Sequence, residues 1–341
     1  MNHALVVRLD NDGDVLLAGP AIRAVAAGAD RVTLWCGPRG RRAAELLPGV
    51  DEIVVQAAEW IDPQPQPLDW PVTLRLIDRL RQLAPDAAVI LTSFHQSPLP
   101  TALLLRAAGV PFVGAISEDY PGSLLDVRHR VADELHEVRR GLSLAVACGF
   151  PLPESDGGRL RVRPTAATPP PQGLPDSYVV VHPGASVPAR AWGGQRNAEL
   201  VDALVAVGRS VVVTGGPEET ELAGRVAGDP RDAVVNLAGT TTLAQLAAVL
   251  AGADAIVVGN TGPAHLAAAV GTPVVSLFAP TVPAARWRPW GVAHELLSID
   301  VPCAGCRARV CPVDGHPCLS GVTAAQALAA VDRLSRSRVA A

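Results

Sequence analysis

The segment Arg8-Leu9-Asp10-Asn11-Asp12-Gly13-Asp14 places three carboxylates directly after an apolar run. A carboxylate within hydrogen-bond reach of a substrate hydroxyl serves as a general base. Asp14 lies at or near the start of the next helical segment, so an N-cap aspartate is the alternative interpretation of this residue. Asp10 and Asp12 have the alternative of being solvated turn residues. Spacing alone leaves catalytic and structural roles open.

Three further segments place glycine or small residues just before a helix: HPGAS at 182–186, TGGPEE at 214–219 and GNTGPAH at 259–265. Free amides at a helix N-terminus bind phosphate, and glycine lets a phosphate approach the backbone. Arg190, beyond the first segment, adds a charge-assisted contact. Three such loops at equivalent strand ends predict a phosphate-binding crevice. His265 has the alternative of a buried, satisfied histidine.

Four cysteines with the spacing C-x2-C-x4-C-x6-C form the most distinctive local pattern: Cys303, Cys306, Cys311 and Cys318. The first pair has the spacing of zinc ligands, but the second pair does not repeat it. The pattern therefore favours thiols that are reduced and packed, or that oxidise one another, over a zinc site. His316 is the local candidate base for thiol chemistry, which the sequence supports still less.

Composition excludes several classes of protein. All 29 basic residues are arginine, which removes the lysine that a Walker A loop or a Schiff-base enzyme needs. No G-x-G-x-x-G follows a strand, which disfavours a dehydrogenase. The net charge of -4 gives no general attraction to nucleic acid and leaves at most peripheral membrane contact. No basic and then apolar leader is evident, so we expect a cytoplasmic protein.

The chain of 341 residues fits two domains of about 150 residues each. Short β-rich runs alternate with helical segments, which predicts parallel sheets in an α/β fold. The predicted strands are 4–9, 32–36, 52–55, 88–92 and 112–116, and then 178–182, 210–214, 234–237, 255–258 and 274–277. We predict an N-terminal Rossmann-like domain at 1–150, a proline-rich linker at 151–176, a C-terminal Rossmann-like domain at 177–321 and a C-terminal helix at 322–341. Residues 125–147 are predicted to be helical.

Three motifs carry a resemblance to a known family: RLDNDGDVLLAGPAIRAV at the start, HPGASVPARAW after the linker and GNTGPAHLAAAVGTPVVSLFAPT near the end. In order and spacing they resemble the heptosyltransferases of glycosyltransferase family 9. The resemblance implies a GT-B architecture, with two Rossmann-like domains facing across a cleft. It also implies acceptor binding by the first domain, donor binding by the second and a C-terminal helix that packs on the N-terminal domain.

The resemblance also implies roles for individual residues. Asp14 matches the catalytic aspartate that takes the proton of the acceptor hydroxyl during inverting transfer, and Gly13 precedes it. Glu219, in preference to Glu218, matches the ribose-binding acid. Asn260 departs from the usual aspartate, which puts the donor-sugar contact there in doubt. The other implied donor-binding residues are Ser186, Arg190 (in place of a usual lysine), Thr261, Gly262 and His265.

These roles describe a transferase that needs no metal and no cofactor, with ADP-heptose or a related nucleotide sugar as donor substrate. The expected acceptor is a glycan, a glycolipid or a natural product. Arg39, Arg41 and Arg42 form a candidate patch for an anionic acceptor, with an exposed solvated loop as the alternative. Two other functions stay open: a non-enzymatic protein that binds nucleotide sugars or glycans, and a transferase that uses a different nucleotide sugar.

Overall fold

The computed structural model describes residues 1–132, 134–163 and 168–339. The chain forms two compact units that divide between residues 163 and 164. Each unit has the same construction, a parallel sheet with helices between its strands. The predicted α/β class with two Rossmann-like halves is confirmed. None of the helices described is long and apolar enough to cross a membrane.

The described part of the first unit has six parallel strands: β1 (His3–Arg8), β2 (Arg31–Cys36), β3 (Glu52–Val55), β4 (Ala87–Ile90), β5 (Phe112–Ile116) and β6 (Val127–His129). Their order is β3-β2-β1-β4-β5-β6. Every residue of β1 is buried, as expected for a central strand covered by helices on both faces. The strand order reverses between β1 and β4, and ligands of such sheets bind at the carboxyl ends of the strands at this point.

Helices of the first unit are α1 (Asp12–Gly28), α2 (Arg41–Ala44), α3 (Trp70–Leu83), α4 (Leu99–Ala107) and α5 (Glu137–Ala147). The first, α1, continues through Pro20 and packs closely on α5. A Cβ atom on Gly141 would lie 3.2 Å from Cβ of Ala21, so glycine is what allows this approach. The packing brings the first turns of α1 and α5 to the end of β1.

The second unit repeats the plan with β7 (Tyr178–His182), β8 (Ser210–Val213), β9 (Val234–Asn236), β10 (Ala255–Gly259), β11 (Val274–Leu277) and β12 (His294–Leu297). The order is β12-β11-β10-β7-β8-β9, and the reversal lies between β7 and β10. The helices are α6 (Gly194–Ala206), α7 (Thr220–Ala227), α8 (Leu243–Gly252), α9 (Gly262–Val270), α10 (Ala284–Trp287), α11 (Pro317–Ser320) and α12 (Ala324–Val339).

All ten predicted strands are present, within two residues at either end. The prediction of a continuous helix at 125–147 was wrong, because β6 occupies Val127–His129 and α5 begins only at Glu137. β12 was not predicted. Both missed strands lie at sheet edges, and their sequences, VRH and HELL, are interrupted by charged and histidine side chains. The other two edge strands, β3 and β9, were predicted because they contain adjacent valines.

The predicted linker at 151–176 spans the division between the two units. Residues 151–163 belong to the first unit and 168–176 to the second, and 164–167 lie outside the described residues. Leu160 is buried, and Arg163 donates from its backbone N–H to the carbonyl oxygen of Leu46 at 2.7 Å. Arg23 of α1 binds both carboxylate oxygens of Asp156, at 2.6 and 3.0 Å. Proline and glycine exclude regular structure here, but side-chain contacts still fix the segment.

The Arg23–Asp156 pair gives a stability prediction. Hydrogen bonds from Arg23 lower the pKa of Asp156 to about 2. The folded pKa lies below the unfolded one, so the pair stabilises the protein above about pH 4 and loses this effect as pH falls towards 2. We expect Asp156→Asn to reduce the free energy of unfolding at pH 7 by about 1–2 kcal/mol, measured by urea unfolding. A variant as stable as the wild type at pH 7 would contradict this.

Residues of α12 pack in the core of the second unit. Ala327, Ala330, Val331 and Leu334 are buried with residues of β7, β8, β10 and β11. The expected packing of the C-terminal helix on the N-terminal half stays a prediction. Within the second unit, the apolar stripe of this helix covers a face of the second sheet beside α6.

Candidate active site

Arg8, the last residue of β1, lies at the centre of a buried cluster of charged side chains. The cluster is at the point of the first sheet where the strand order reverses. Its Nε lies 2.9 Å from Oδ2 of Asp10, its Nη2 3.1 Å from Oδ1 of Asp14 and its Nη1 3.5 Å from Oε2 of Glu137. Its Nη2 also donates to Oγ of Ser93, which follows β4, at 2.9 Å. One guanidinium therefore joins β1, α1, α5 and the loop after β4.

Arg140 completes this Arg8 cluster, with Nε 3.2 Å from Oε1 of Glu137. Three carboxyl groups face two guanidiniums, so the fully ionised cluster has one excess negative charge. Burial raises the pKa of Asp10 and of Glu137. Burial alone would lower the pKa of Arg8, but the three carboxylates raise it, so Arg8 stays charged.

Asp14 is the most exposed of the three carboxylates in the Arg8 cluster. Its side chain is 22% exposed, against 10% for Asp10 and 2% for Glu137. It is the third residue of α1, and Asn11 holds the N-cap position. The N-cap interpretation of Asp14 was therefore wrong. One carboxylate oxygen binds Arg8, and the side chain remains accessible to a substrate.

The other acidic residues of this segment have structural contacts. Asp10 is buried rather than solvated, because it pairs with Arg8 and accepts from Gln96. Asp12 accepts from the backbone N–H of Ala43 at 3.0 Å and pairs with Arg42. Gly13 is buried between them and Asp14.

The candidate arginine patch is exposed, but each of its three members lies beside a carboxylate. The nitrogen–oxygen distances are 3.4 Å for Arg39–Asp62, 2.8 Å for Arg41–Glu45 and 2.8 Å for Arg42–Asp12. An anionic acceptor would compete with these carboxylates.

Glu219 ties together the loops after β7 and β8. Its Oε2 accepts from the backbone N–H of Gly216 at 2.7 Å and lies 3.6 Å from Nε2 of His182. A Cβ atom on Gly184 would come within 1.9 Å of its Oε1, so a side chain at this position would displace the Glu219 carboxylate. Burial lowers the pKa of His182, which keeps the imidazole neutral. Glu218, by contrast, is exposed.

The turn Pro188–Arg190 packs on the end of β10. A Cβ atom on Gly259 would lie 2.8 Å from the carbonyl oxygen of Arg190, so the turn sits directly beside Asn260 and Thr261. Arg190 is half-buried and Ser186 is exposed. Residues predicted from separate loops thus meet at the carboxyl ends of β7, β8 and β10.

The start of α9 supplies hydrogen-bond donors at this place. Thr261 occupies the N-cap position without a side-chain cap bond, and Gly262 is the first helical residue. Amides at such a terminus attract anions. Asn260 is buried, and its Nδ2 has no hydrogen-bond partner within the described part of the chain. His265 is buried in α9, as its structural alternative requires.

The four cysteines of the C-x2-C-x4-C-x6-C pattern and His316 line one largely apolar pocket of the second unit. Across the described ranges, no three His, Cys, Asp or Glu side chains are arranged to hold a metal ion. Burial, and then the neighbouring thiols, raise the pKa of Cys318, which keeps this thiol protonated at neutral pH. The arrangement does not support the candidate zinc site.

Comparison with known proteins settles the family. The sequence profile of glycosyltransferase family 9 (heptosyltransferase) matches residues 73–316. Lipopolysaccharide heptosyltransferase 1 of Pseudomonas aeruginosa is 32% identical over 321 residues, which cover 91% of this chain and 87% of that protein. The chain belongs to glycosyltransferase family 9. It is therefore an enzyme, which excludes the alternative of a non-enzymatic binding protein.

Two further relatives are similar to this family 9 glycosyltransferase. Lipopolysaccharide heptosyltransferase 3 of Escherichia coli is 34% identical over 171 residues, and this match covers 48% of each chain, about half the length of that relative. The structure of E. coli heptosyltransferase WaaC with ADP-2-deoxy-2-fluoro heptose has a TM-score of 0.72 and 20% identity, and covers 97% of this chain and 99% of that one. The latter likeness shows the fold.

Sequence reasoning missed part of the transferase's first-unit site: Arg8 as its centre, Ser93, Glu137 and Arg140. A charged residue that ends a wholly apolar strand was the available signal, because such a residue is buried and needs partners. The partners themselves were not readable, since Glu137 lies 129 positions from Arg8.

Proposed function

We propose that this enzyme transfers a heptose, or a related sugar, from ADP-heptose to an acceptor hydroxyl, with inversion and without a metal ion. The observation that carries the proposal is the convergence of Arg190, Glu219, Asn260 and the start of α9 at one edge of the second sheet. The named heptosyltransferases among its relatives support the donor sugar.

Under this proposal the second unit binds the donor. Arg190, Ser186 and the amides of Thr261 and Gly262 contact the diphosphate, and they stabilise the negative charge of the leaving nucleotide in place of a metal. Glu219 accepts from the ribose hydroxyls. The buried amide of Asn260 donates to a sugar hydroxyl, which would satisfy its Nδ2. His265 supports the helix that carries these groups.

The first unit supplies the base. Asp14 takes the proton of the acceptor hydroxyl as that oxygen attacks the anomeric carbon, and ADP leaves with the electrons of the broken bond. Proton uptake at Asp14 removes the excess negative charge of the Arg8 cluster. The acceptor is a glycan, and lipopolysaccharide is the acceptor that the names of the relatives give. A cytoplasmic location stays a prediction.

Nucleotide selectivity tests the donor. Calorimetry of the full-length protein with ADP, UDP, GDP and dTDP should show the tightest binding for ADP. Preference for another nucleoside diphosphate would keep the diphosphate site and overturn ADP-heptose as the donor. Absence of binding to all four would overturn the proposed donor site.

Glu219→Gln tests the ribose contact. We expect the Kd for ADP to rise about tenfold, because the amide keeps one neutral acceptor oxygen, which the N–H of Gly216 occupies, and presents a donor NH2 where the ribose hydroxyls need an acceptor. Calorimetry measures the change. Glu218→Gln is the matched control. It removes the same charge from the neighbouring residue, whose side chain is exposed, and this variant should bind ADP as the wild type does. Equal Kd values for the two variants would argue against a role of Glu219 in donor binding.

A further inference from the structure

Residues 303–318, termed the cysteine loop, hold the main chain of Ala189, the residue before Arg190. The N–H of Ala189 donates to the carbonyl oxygen of Arg309 at 3.0 Å. Its carbonyl oxygen accepts from Nε2 of His316 at 3.1 Å. Ala189 is buried, so water does not replace these bonds easily. A carbonyl oxygen only accepts, so the imidazole must carry its proton on Nε2.

His316 itself is held in an unusual backbone conformation. Its φ is 49°, in the left-handed region that residues other than glycine rarely adopt. Its backbone N–H donates to the carbonyl oxygen of Val313 at 3.2 Å, and Pro317 starts α11 directly after it. A strained residue persists where the surrounding contacts fix it. Here the conformation aims the imidazole at Ala189.

The cysteine loop is also fixed on its far side. Gly305 donates from its N–H to the carbonyl oxygen of Pro280 at 2.7 Å, and Arg307 does so to that of Thr281 at 2.9 Å. Both acceptors follow β11, whose sheet neighbour is β10. The loop therefore links the segment after β11 to the turn Pro188–Arg190 that packs on the end of β10.

The four thiols line the same largely apolar pocket as Ala189 and His316. Cys318 is buried and Cys311 is partly buried, while Cys303 and Cys306 are exposed. A buried cysteine behaves as a small hydrophobic side chain. Cys318 therefore packs in the pocket that Ala189 and His316 share.

We propose that the cysteine loop positions the donor-binding turn, and that His316 is the positioning residue that sets the place of Arg190 through the carbonyl group of Ala189. His316 does not touch the donor. The inference rests on the proposed role of Arg190 at the diphosphate. It makes donor affinity depend on His316, which lies more than 120 residues after Ala189 in the sequence.

His316→Gly is the sharpest test, because glycine adopts the left-handed backbone without strain and removes only the imidazole. We expect about a five- to tenfold rise in the Kd for ADP and in the KM for ADP-heptose, and a fall in kcat that is no larger, because Arg190 also stabilises the charge of the leaving nucleotide. His316→Gln retains an N–H near the place of Nε2 and should restore most of the affinity. His294→Ala is the control: this half-buried histidine bonds the carbonyl oxygen of Val292 on the edge strand β12.

Arg190→Ala separates the proposed donor-binding role of Arg190 from the proposed positioning role of His316. If Arg190→Ala weakens ADP binding and His316→Gly does not, the donor site stands and the positioning role of His316 is overturned. A fall in kcat at unchanged KM, or a Gln variant as weak as the Gly variant, would also overturn it. If the wild-type protein binds no nucleoside diphosphate, the proposed function and this inference fail together.

Discussion

Asp14→Asn should reduce kcat for sugar transfer about 10³-fold and leave the Kd for ADP within about twofold of wild type. The amide has the shape of the carboxylate, and its oxygen still accepts from Nη2 of Arg8, which lies 3.1 Å from Oδ1 in the wild type. It does not accept a proton from the acceptor hydroxyl at neutral pH. Release of ADP from ADP-heptose with a lipopolysaccharide-core acceptor measures kcat, and calorimetry measures ADP binding.

Asp12→Asn is the matched control for this change. It removes the same charge from the same first turn of α1, at a side chain that bonds Ala43 and Arg42. We expect a loss of less than tenfold in kcat. If the two variants lose similar amounts, the effect belongs to the negative charge at the start of α1, and Asp14 is not the base. Retained turnover in Asp14→Asn would likewise remove Asp14 from the role of base.

The fold was predictable where local patterns were strong. Central strands such as β1 and β10 are buried along their whole length, so their apolar runs stand out in the sequence. β6 and β12 are edge strands whose charged and histidine side chains interrupt that signal. The segment 151–163 was assigned to a linker from its composition. Its fixed position depends on Asp156 and Arg23, which are 133 residues apart.

In the candidate site, too, local sequence patterns predicted some features, whereas contacts between distant residues were not predictable. Loops after β7, β8 and β10 were predicted to converge because the carboxyl ends of parallel strands share one edge of the sheet. Neither the contact of Gly184 with Glu219 nor that of Gly259 with Arg190 was predictable. Each depends on how two loops pack in three dimensions, and a glycine in a loop has many possible reasons. The likeness to a family supplied the role of Asp14, but only the structure supplied its partner Arg8.

Arg8→Met should have the largest effect on stability, because it leaves Asp10 and Glu137 buried without their shared counter-charge. Breaking a buried ion pair from one side costs about 3–5 kcal/mol. Burial already raises the pKa of both carboxyl groups, and without Arg8 they will hold protons still more tightly in the folded state than in the unfolded state. Stability then falls as pH rises through these folded pKa values. We expect the loss to be larger at pH 8 than at pH 5, measured by urea unfolding.

Arg23→Met is the control for the direction in which the loss of stability changes with pH. It removes an arginine from an ion pair in the same unit, but the backbone N–H of Gly158 and the charge of Arg161 still lower the pKa of its partner Asp156, so this carboxylate stays ionised between pH 5 and pH 8. Its loss of stability should therefore differ little between pH 5 and pH 8. If Arg8→Met loses the same free energy of unfolding at both pH values, Asp10 and Glu137 do not depend on Arg8 for their ionisation.

Arg8→Lys should fold, since it keeps the charge, but one ammonium does not span three carboxylates as the guanidinium does. We therefore expect kcat of this variant to fall about tenfold while ADP binding is unchanged, because Asp14 is no longer held in place.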